Sequence, residues 1–493
     1  MRIARDIVRT LLRAPGRVAV VDDQRAWKSW RIYLAALHVA REIARTTDRP
    51  RVGIMLPTAG VYPVALLATW MLGRTAVPLN YLLKADDIAF IVEDAELDTV
   101  VTVEPMLEMV GGLPDGVKAI RMDTMSFRGL PPLRRCARRP DDHIAVVLYT
   151  SGTSGRPKGV MLSIGNLVAN VGQCVERAGF ARGEVLLGVL PQFHTFGLTV
   201  LTLLPLTVGC LVVYTARFRP AKILDLMRRY RPTAFIAIPS MYNALLNARS
   251  ATAEDLASLR CVVSGGEPLP AAVFDGFLER FGVRICEGYG LTETSPVTNW
   301  CLPDEHRRRS VGRAVCDCEQ RIVAPDGTVL GPDAEGEIRI KGPNVMQGYF
   351  KRPEETAAAF DGEGYFRTGD MGRFDADGFL YITGRIKEML IIGGENVFPR
   401  EIEEVLNRHP DVHDSAVIGV PDESRGEVAM AFVELAEGAT FDETALRSHC
   451  RSELPQFKVP REIRVVEALP RNATGKIVRR ALTAETGSAA SQP

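Results

Sequence analysis

The chain has 493 residues, 46% of them hydrophobic and 24% charged, with 60 Lys plus Arg against 60 Asp plus Glu. That length exceeds what one compact core holds, so two to four domains are expected. Balanced charge excludes a global field for nucleic acid or an anionic membrane and leaves any anionic ligand to a local site.

The first residues, through Arg17, lack the apolar core and cleavage site of a signal peptide, and Ile3, Ile7, Leu11 and Leu12 recur at helical spacing. Two long stretches without formal charge follow, 52–73 and 185–216, but Pro57, Gly60 and Pro63 break the first, and Pro191, Gly197, Pro205 and Gly209 the second. A spanning helix needs about 20 continuous apolar residues. Both stretches therefore read as buried strand, loop and buried helix, with no transmembrane segment. VVLYT (146–150), CLVVY (210–214), FIAIP (235–239) and CVVSGG (261–266) are further β-rich runs. Helical segments such as PAKILDLMRRYRP separate them, with Ile223, Leu226, Met227 and Tyr230 on one face. Apolar strands alternating with helices predict an α/β fold with parallel sheets covered on both sides.

Residues 310–383 change to short strands with Gly and Asp turns, as in a small antiparallel sheet or barrel. A compact α+β remainder begins after Arg385 and includes the amphipathic PREIEEVLNRHP, and the small polar tail GSAASQP is expected to be disordered. Nine cysteines without a disulfide-scaffold spacing point to a reducing, cytoplasmic setting. Cys301, His306, Cys316 and Cys318 fit no zinc spacing. The arginines at 134, 135, 138 and 139, and at 307–309, read first as solvated loop charge and second as phosphate contacts.

The strongest local signal is YTSGTSGRPKGV, Tyr149 to Val160. A strand runs into a loop whose glycines let backbone N–H groups approach phosphate oxygens, while hydroxyls and Lys158 add donors and charge. The Gly-Lys-Ser/Thr order of a Walker loop is absent. PQFHTFG (191–197), SGGEPLP (264–270), GYGLTETSP (288–296), YFRTGD (365–370), GRIKEMLIIGGENVFPREIE (384–403) and PRNATGKIVRR (470–480) follow. Taken in this order, the seven segments resemble the adenylate-forming superfamily of acyl-CoA synthetases, firefly-type luciferases and peptide-synthetase adenylation domains.

The resemblance implies a large N-terminal AMP-binding domain, residues 1–385, of two helix-covered sheets with a small β-barrel-like subdomain at 310–383. It also implies a mobile C-terminal domain, 386–483, and a tail, 484–493. The implied ligands are ATP, Mg2+, a carboxylic acid and coenzyme A. Thr150, Ser151, Gly152, Thr153, Ser154, Gly155 and Lys158 then cradle phosphates. Gly266 and Glu267 touch the adenosine, Tyr289 stacks on adenine and Thr292 bonds a phosphate. Glu293, with Thr150, holds the metal. Asp370 takes the ribose hydroxyls, and Arg385 contacts the nucleotide.

His194 lines the carboxylate end of the acyl pocket, although a histidine in so apolar a stretch is more often a core residue. No acid stands there to pair with an α-amino group, which disfavours an amino-acid substrate. Lys476 bridges the attacking carboxylate and the α-phosphate, an electrostatic need of the first half-reaction. Lys387 is the hinge, and Gly393, Gly394, Glu395 and Asn396 form the loop along which the acceptor passes. Ile164 stands where many relatives have His, and Ile391 where some have Lys, which leaves one acceptor or nucleotide phosphate contact without its lysine.

Gly290, two residues before Thr292, stands where acetate-specific relatives carry an aromatic plug. It is expected to leave a deep acyl pocket, unless it serves only as a glycine at positive φ. The reading is a ligase joining a medium- or long-chain fatty acid to CoA. The alternative loads an acyl carrier protein, for which the short PDG turn between Ile322 and Ile340 leaves no room for the expected insertion. A luciferase-like oxidase and a non-catalytic nucleotide binder are further readings, and intact Glu293, Asp370 and Lys476 argue against the last.

Overall fold

The computed structural model describes residues 1–150, 156–422, 424–471 and 477–483. Two large sheets form its first part. In one, parallel strands Thr75–Pro78, Arg51–Met55, Thr99–Thr102 and Lys118–Arg121 lie beside Ile144–Thr150, and Lys158–Ser163 returns antiparallel to complete a hairpin. In the other, the parallel strands Cys286–Gly290, Cys261–Ser264, Ala234–Ala237, Val185–Gly188, Leu211–Tyr214 and Val18–Val21 run side by side. Short antiparallel strands flank this second sheet at both edges.

Apart from Lys118–Arg121 and Cys286–Gly290 these strands are largely buried, which is why they read as apolar runs without alternation. The helix Val61–Met71 buries every residue from Tyr62 to Met71, so it has no polar face and gives no amphipathic signal. No described helix is long and apolar enough to cross a membrane.

The 310–383 region holds a four-stranded antiparallel meander, Glu319–Val323, Gly336–Lys341, Phe366–Phe374 and Leu380–Arg385. Its first and last strands do not pair, so the expected barrel-like unit is an open sheet. The main core runs from Met1 to Leu380, and separate buried clusters begin at Leu390. They lie on a second mixed sheet built around the hairpin Val412–Asp422 and Gly426–Leu435, with helices Pro399–Leu406 and Glu443–Glu453 packed against each other.

Candidate active site

A cavity of about 960 Å³ opens where the two large sheets, the meander and the start of the C-terminal part converge. Parallel strands end at its wall, as expected for an α/β site. The strand Ile144–Thr150 delivers Thr150, and its hairpin partner places Lys158 opposite it. Lys158 Nζ pairs with Glu355 and stands 5.7 Å from the centre of the Tyr349 ring. Ser151, Gly152, Thr153, Ser154 and Gly155 lie outside the described residues.

The strand Cys286–Gly290 brings Tyr289 against the meander. Tyr289 Oη donates to Asp370 Oδ2 at 2.6 Å, and Arg385 Nε holds Oδ1 at 2.8 Å. Asp370 and Arg385 sit opposite each other in the pairing of Phe366–Phe374 with Leu380–Arg385. The Asp370 backbone N–H donates to Thr368 Oγ1 at 3.0 Å. Burial, with Asp370 alongside, pushes the Tyr289 phenol far above its ordinary range, so it remains a donor. Burial disfavours the Arg385 cation, but Asp370 and Glu388 outweigh it and raise its pKa. Each carboxylate oxygen has two lone pairs, so Asp370 arrives oriented and still able to accept from a ribose.

Glu293 enters on the turn Thr292–Thr294. Its backbone carbonyl accepts from Met346 N at 2.7 Å, and Asn344 Nδ2 donates to the Thr294 carbonyl at 2.9 Å, which locks the turn to the loop after Lys341. Burial pushes the Glu293 carboxyl pKa up, partly countered by Tyr349 Oη donating to Oε1 at 3.0 Å. A half-buried carboxylate that shares its cavity with Thr150 and Thr292 is part of a hard-oxygen donor set suited to Mg2+. Among the described residues no three acidic, His or Cys side chains form a metal cage. One carboxylate plus phosphate oxygens is how Mg2+ is commonly held.

His194 is exposed and lines the cavity instead of filling the core. It caps the short helix Thr195–Leu198, with Nδ1 accepting from Phe196 N at 3.4 Å. The helix then widens into a π turn, Thr199–Leu203, a distortion frequent at functional sites. Gly266 lines the wall, whereas Glu267 does not and lies in the field of Arg471.

Lys387 also lines the cavity, and burial lowers its pKa. From the far end of the chain come Ile477 and Val478; Lys476 lies outside the described residues. Gly393, Gly394, Glu395 and Asn396 are exposed and absent from the wall, with the two glycines at φ 61° and 88°.

Gly290 requires a correction. A Cβ built there would lie 1.9 Å from the Pro296 carbonyl oxygen and 2.7 Å from its carbon, and φ is not positive. Left-handed geometry is not the reason for glycine here: two backbones meet closely, which bars a side chain at this position of the cavity wall whatever the depth of the pocket. Sequence reasoning also missed Tyr349, which bonds Glu293 and lies beneath Lys158. It lies on the edge strand Gly348–Tyr349, and its only sequence signal is an unremarked GYF. Glu287 was missed as well: burial pushes its carboxyl up to about 7, close to Arg400 and Glu404 of the C-terminal part.

The sequence profile of the AMP-binding enzyme family matches residues 8–350, and that of the AMP-binding enzyme C-terminal domain matches 401–476. A long-chain-fatty-acid–CoA ligase of Bacillus subtilis (strain 168) is 39% identical over 353 residues, which make up 70% of this chain and 62% of that protein. A sulfoacetate–CoA ligase of Cupriavidus necator is 35% identical over 451 residues, 87% of this chain and 86% of that one. ATP-bound MatB from Rhodopseudomonas palustris superposes with a TM-score of 0.89 at 32% identity, covering 98% of both chains.

Proposed function

The chain belongs to the AMP-binding enzyme family, and from that premise we propose that it joins a carboxylic acid to coenzyme A through an acyl adenylate. The acid we assign is a medium- or long-chain aliphatic one. One observation carries this reading: a single cavity joins a polar end, with Thr150, Lys158, Glu293, Asp370 and Arg385, to an apolar wall across His194. The wall runs through Phe193, Phe196, Ile236, Val263, Val297 and Trp300. Two cavity-lining glycines lie against it: the Phe196 ring is 3.0 Å from where a Cβ of Gly265 would sit, and Val263 is 3.4 Å from that of Gly288. Each buried methylene is worth roughly 0.8 kcal/mol against such a surface, so an alkyl chain gains by filling it. The two relatives named above act on chemically unlike acids, so the support for an aliphatic acid comes from the apolar wall and not from the likeness.

In the first step a carboxylate oxygen attacks the α-phosphorus, the bond to pyrophosphate breaks, and acyl-AMP forms. Asp370, already oriented by Tyr289 and Arg385, fixes the ribose. Lys158 and Arg385 face the anionic phosphates, and Lys476 bridges the two reacting anions. Glu293 and Thr150 would hold Mg2+, which supplies neutralising charge to the phosphates. In the second step the CoA sulfur attacks the acyl carbon, AMP leaves with the bonding pair, and the thiol proton passes to water. Lys387, on the cavity wall between the two cores, is the hinge about which residues 386–483 turn so that the Gly393–Asn396 loop replaces Lys476.

CoA is favoured over a carrier protein because only twelve residues link Glu319–Val323 to Gly336–Lys341, opening on a tight turn with Ala324 N bonding Thr328 O at 2.9 Å. All nine cysteines are free, which suits a cytoplasmic enzyme. The test is pyrophosphate release across acids from acetate to palmitate, with and without CoA, followed by mass analysis. Octanoate or longer acids should exceed acetate, and CoA should convert acyl-AMP to thioester. Preference for acetate or a charged acid would sink the substrate assignment, and acyl-AMP persisting beside CoA would sink the acceptor.

A further inference from the structure

The loop 124–140 carries five arginines and no acidic residue, and it lies outside the site described above. Its base is pinned. Met125 N bonds Arg121 O at 3.1 Å, the Phe127 ring meets His38 edge-on at 5.8 Å, Ala137 N bonds Met71 O at 3.0 Å, and Arg139 Nε bonds Gly73 O at 3.2 Å. The N-terminal ammonium also binds the Ala137 carbonyl. Between these anchors Leu130 is 88% exposed and Leu133 81%, the two most exposed large apolar side chains described. Arg128, Arg134, Arg135 and Arg138 are exposed around them and make no ion pair among the described residues. A firmly held loop that presents leucines ringed by unpaired cations has a fixed, costly surface needing an amphipathic, anionic partner.

We propose that this loop docks the protein on an anionic lipid bilayer, with Leu130 and Leu133 entering the headgroup region and the four arginines meeting lipid phosphates. A groove on another protein that takes Leu130–Pro131–Pro132–Leu133 as an extended ligand fits less well, because Pro131 is buried against the body and unavailable to a groove. The placement is compatible with turnover. The loop feeds the start of the strand Ile144–Thr150, whereas Thr150 at its other end lines the cavity. Seven residues of strand separate the two by about 20 Å, so docking leaves the cavity open and the C-terminal domain free to turn.

The test is sedimentation of the full chain with phosphatidylcholine vesicles, with and without phosphatidylglycerol. Binding is expected only with phosphatidylglycerol, and high salt should abolish it by shortening the screening length. Each removed arginine should weaken binding about five-fold, so Arg134→Gln with Arg135→Gln should cost roughly 25-fold. Leu130→Ser with Leu133→Ser should release the protein at low salt, while its ATP-dependent activity on a water-soluble acid stays unchanged. Absence of phosphatidylglycerol-dependent binding overturns the proposal. So does binding that survives both double substitutions, which would place the contact elsewhere on the molecule.

Discussion

Tyr289 Oη and Asp370 Oδ2 stand 2.6 Å apart, which ties the last strand of a parallel sheet to the third strand of the antiparallel meander. Arg385 holds the other carboxylate oxygen, so the acid that the reading above assigns to the ribose is oriented before any nucleotide arrives. Asp370→Asn should raise KM for ATP by about 10- to 100-fold, the worth of hydrogen bonds to a charged group. Steady-state kinetics at saturating acid and CoA checks this. A change under about three-fold would move the ribose elsewhere.

Gly290 gives a prediction opposite to the one its sequence context invites. A side chain there meets the Pro296 carbonyl instead of the acyl wall, so Gly290→Ala should lose activity with every acid and lower Tm. Gly290→Trp should behave the same way. A shift toward acetate with adenylation retained would show that the turn can open and that the residue does gate the pocket.

Glu287 has a folded-state pKa pushed up by burial to about 7, above its unfolded value; Arg400 and Arg309 oppose the shift and Glu404 adds to it. The folded chain therefore keeps a proton that the unfolded chain loses, and stability falls as pH rises from the unfolded pKa through about 7. Glu287→Gln mimics the protonated acid. It should raise Tm by a few degrees at about pH 8 and leave it unchanged near pH 5. Thermal denaturation at the two pH values decides, and an equal effect at both would mean that Glu287 stays charged throughout.

Lys476 and Lys387 should separate the half-reactions. Lys476→Ala should lose acyl-AMP formation by about three orders of magnitude yet still convert supplied acyl-AMP and CoA to thioester. Lys387→Pro should do the reverse, because proline fixes φ at the proposed hinge. Pyrophosphate exchange and thioester formation measured separately make the comparison. Equal losses in both assays for either variant would end this division of labour.

The order of local signals along the chain was enough to identify the family and the layered fold. Buried parallel strands are apolar on both faces, and phosphate loops need glycine and hydroxyl residues in short runs, so both are written locally. Thr150, Lys158, Tyr289, Glu293, Asp370 and Arg385 were named through the resemblance that the ordered segments carry, and all six line one cavity. What the sequence left open depends on contacts between segments far apart. Tyr349 reaches Glu293 across 56 positions, Glu287 owes its raised pKa to burial at a domain boundary, and the side of Gly290 that must stay empty is set by Pro296. The exposed leucines of the 124–140 loop belong with these, because only the folded body decides which apolar side chains it covers. Burial, proximity and field are properties of the packed molecule, and no residue carries them alone.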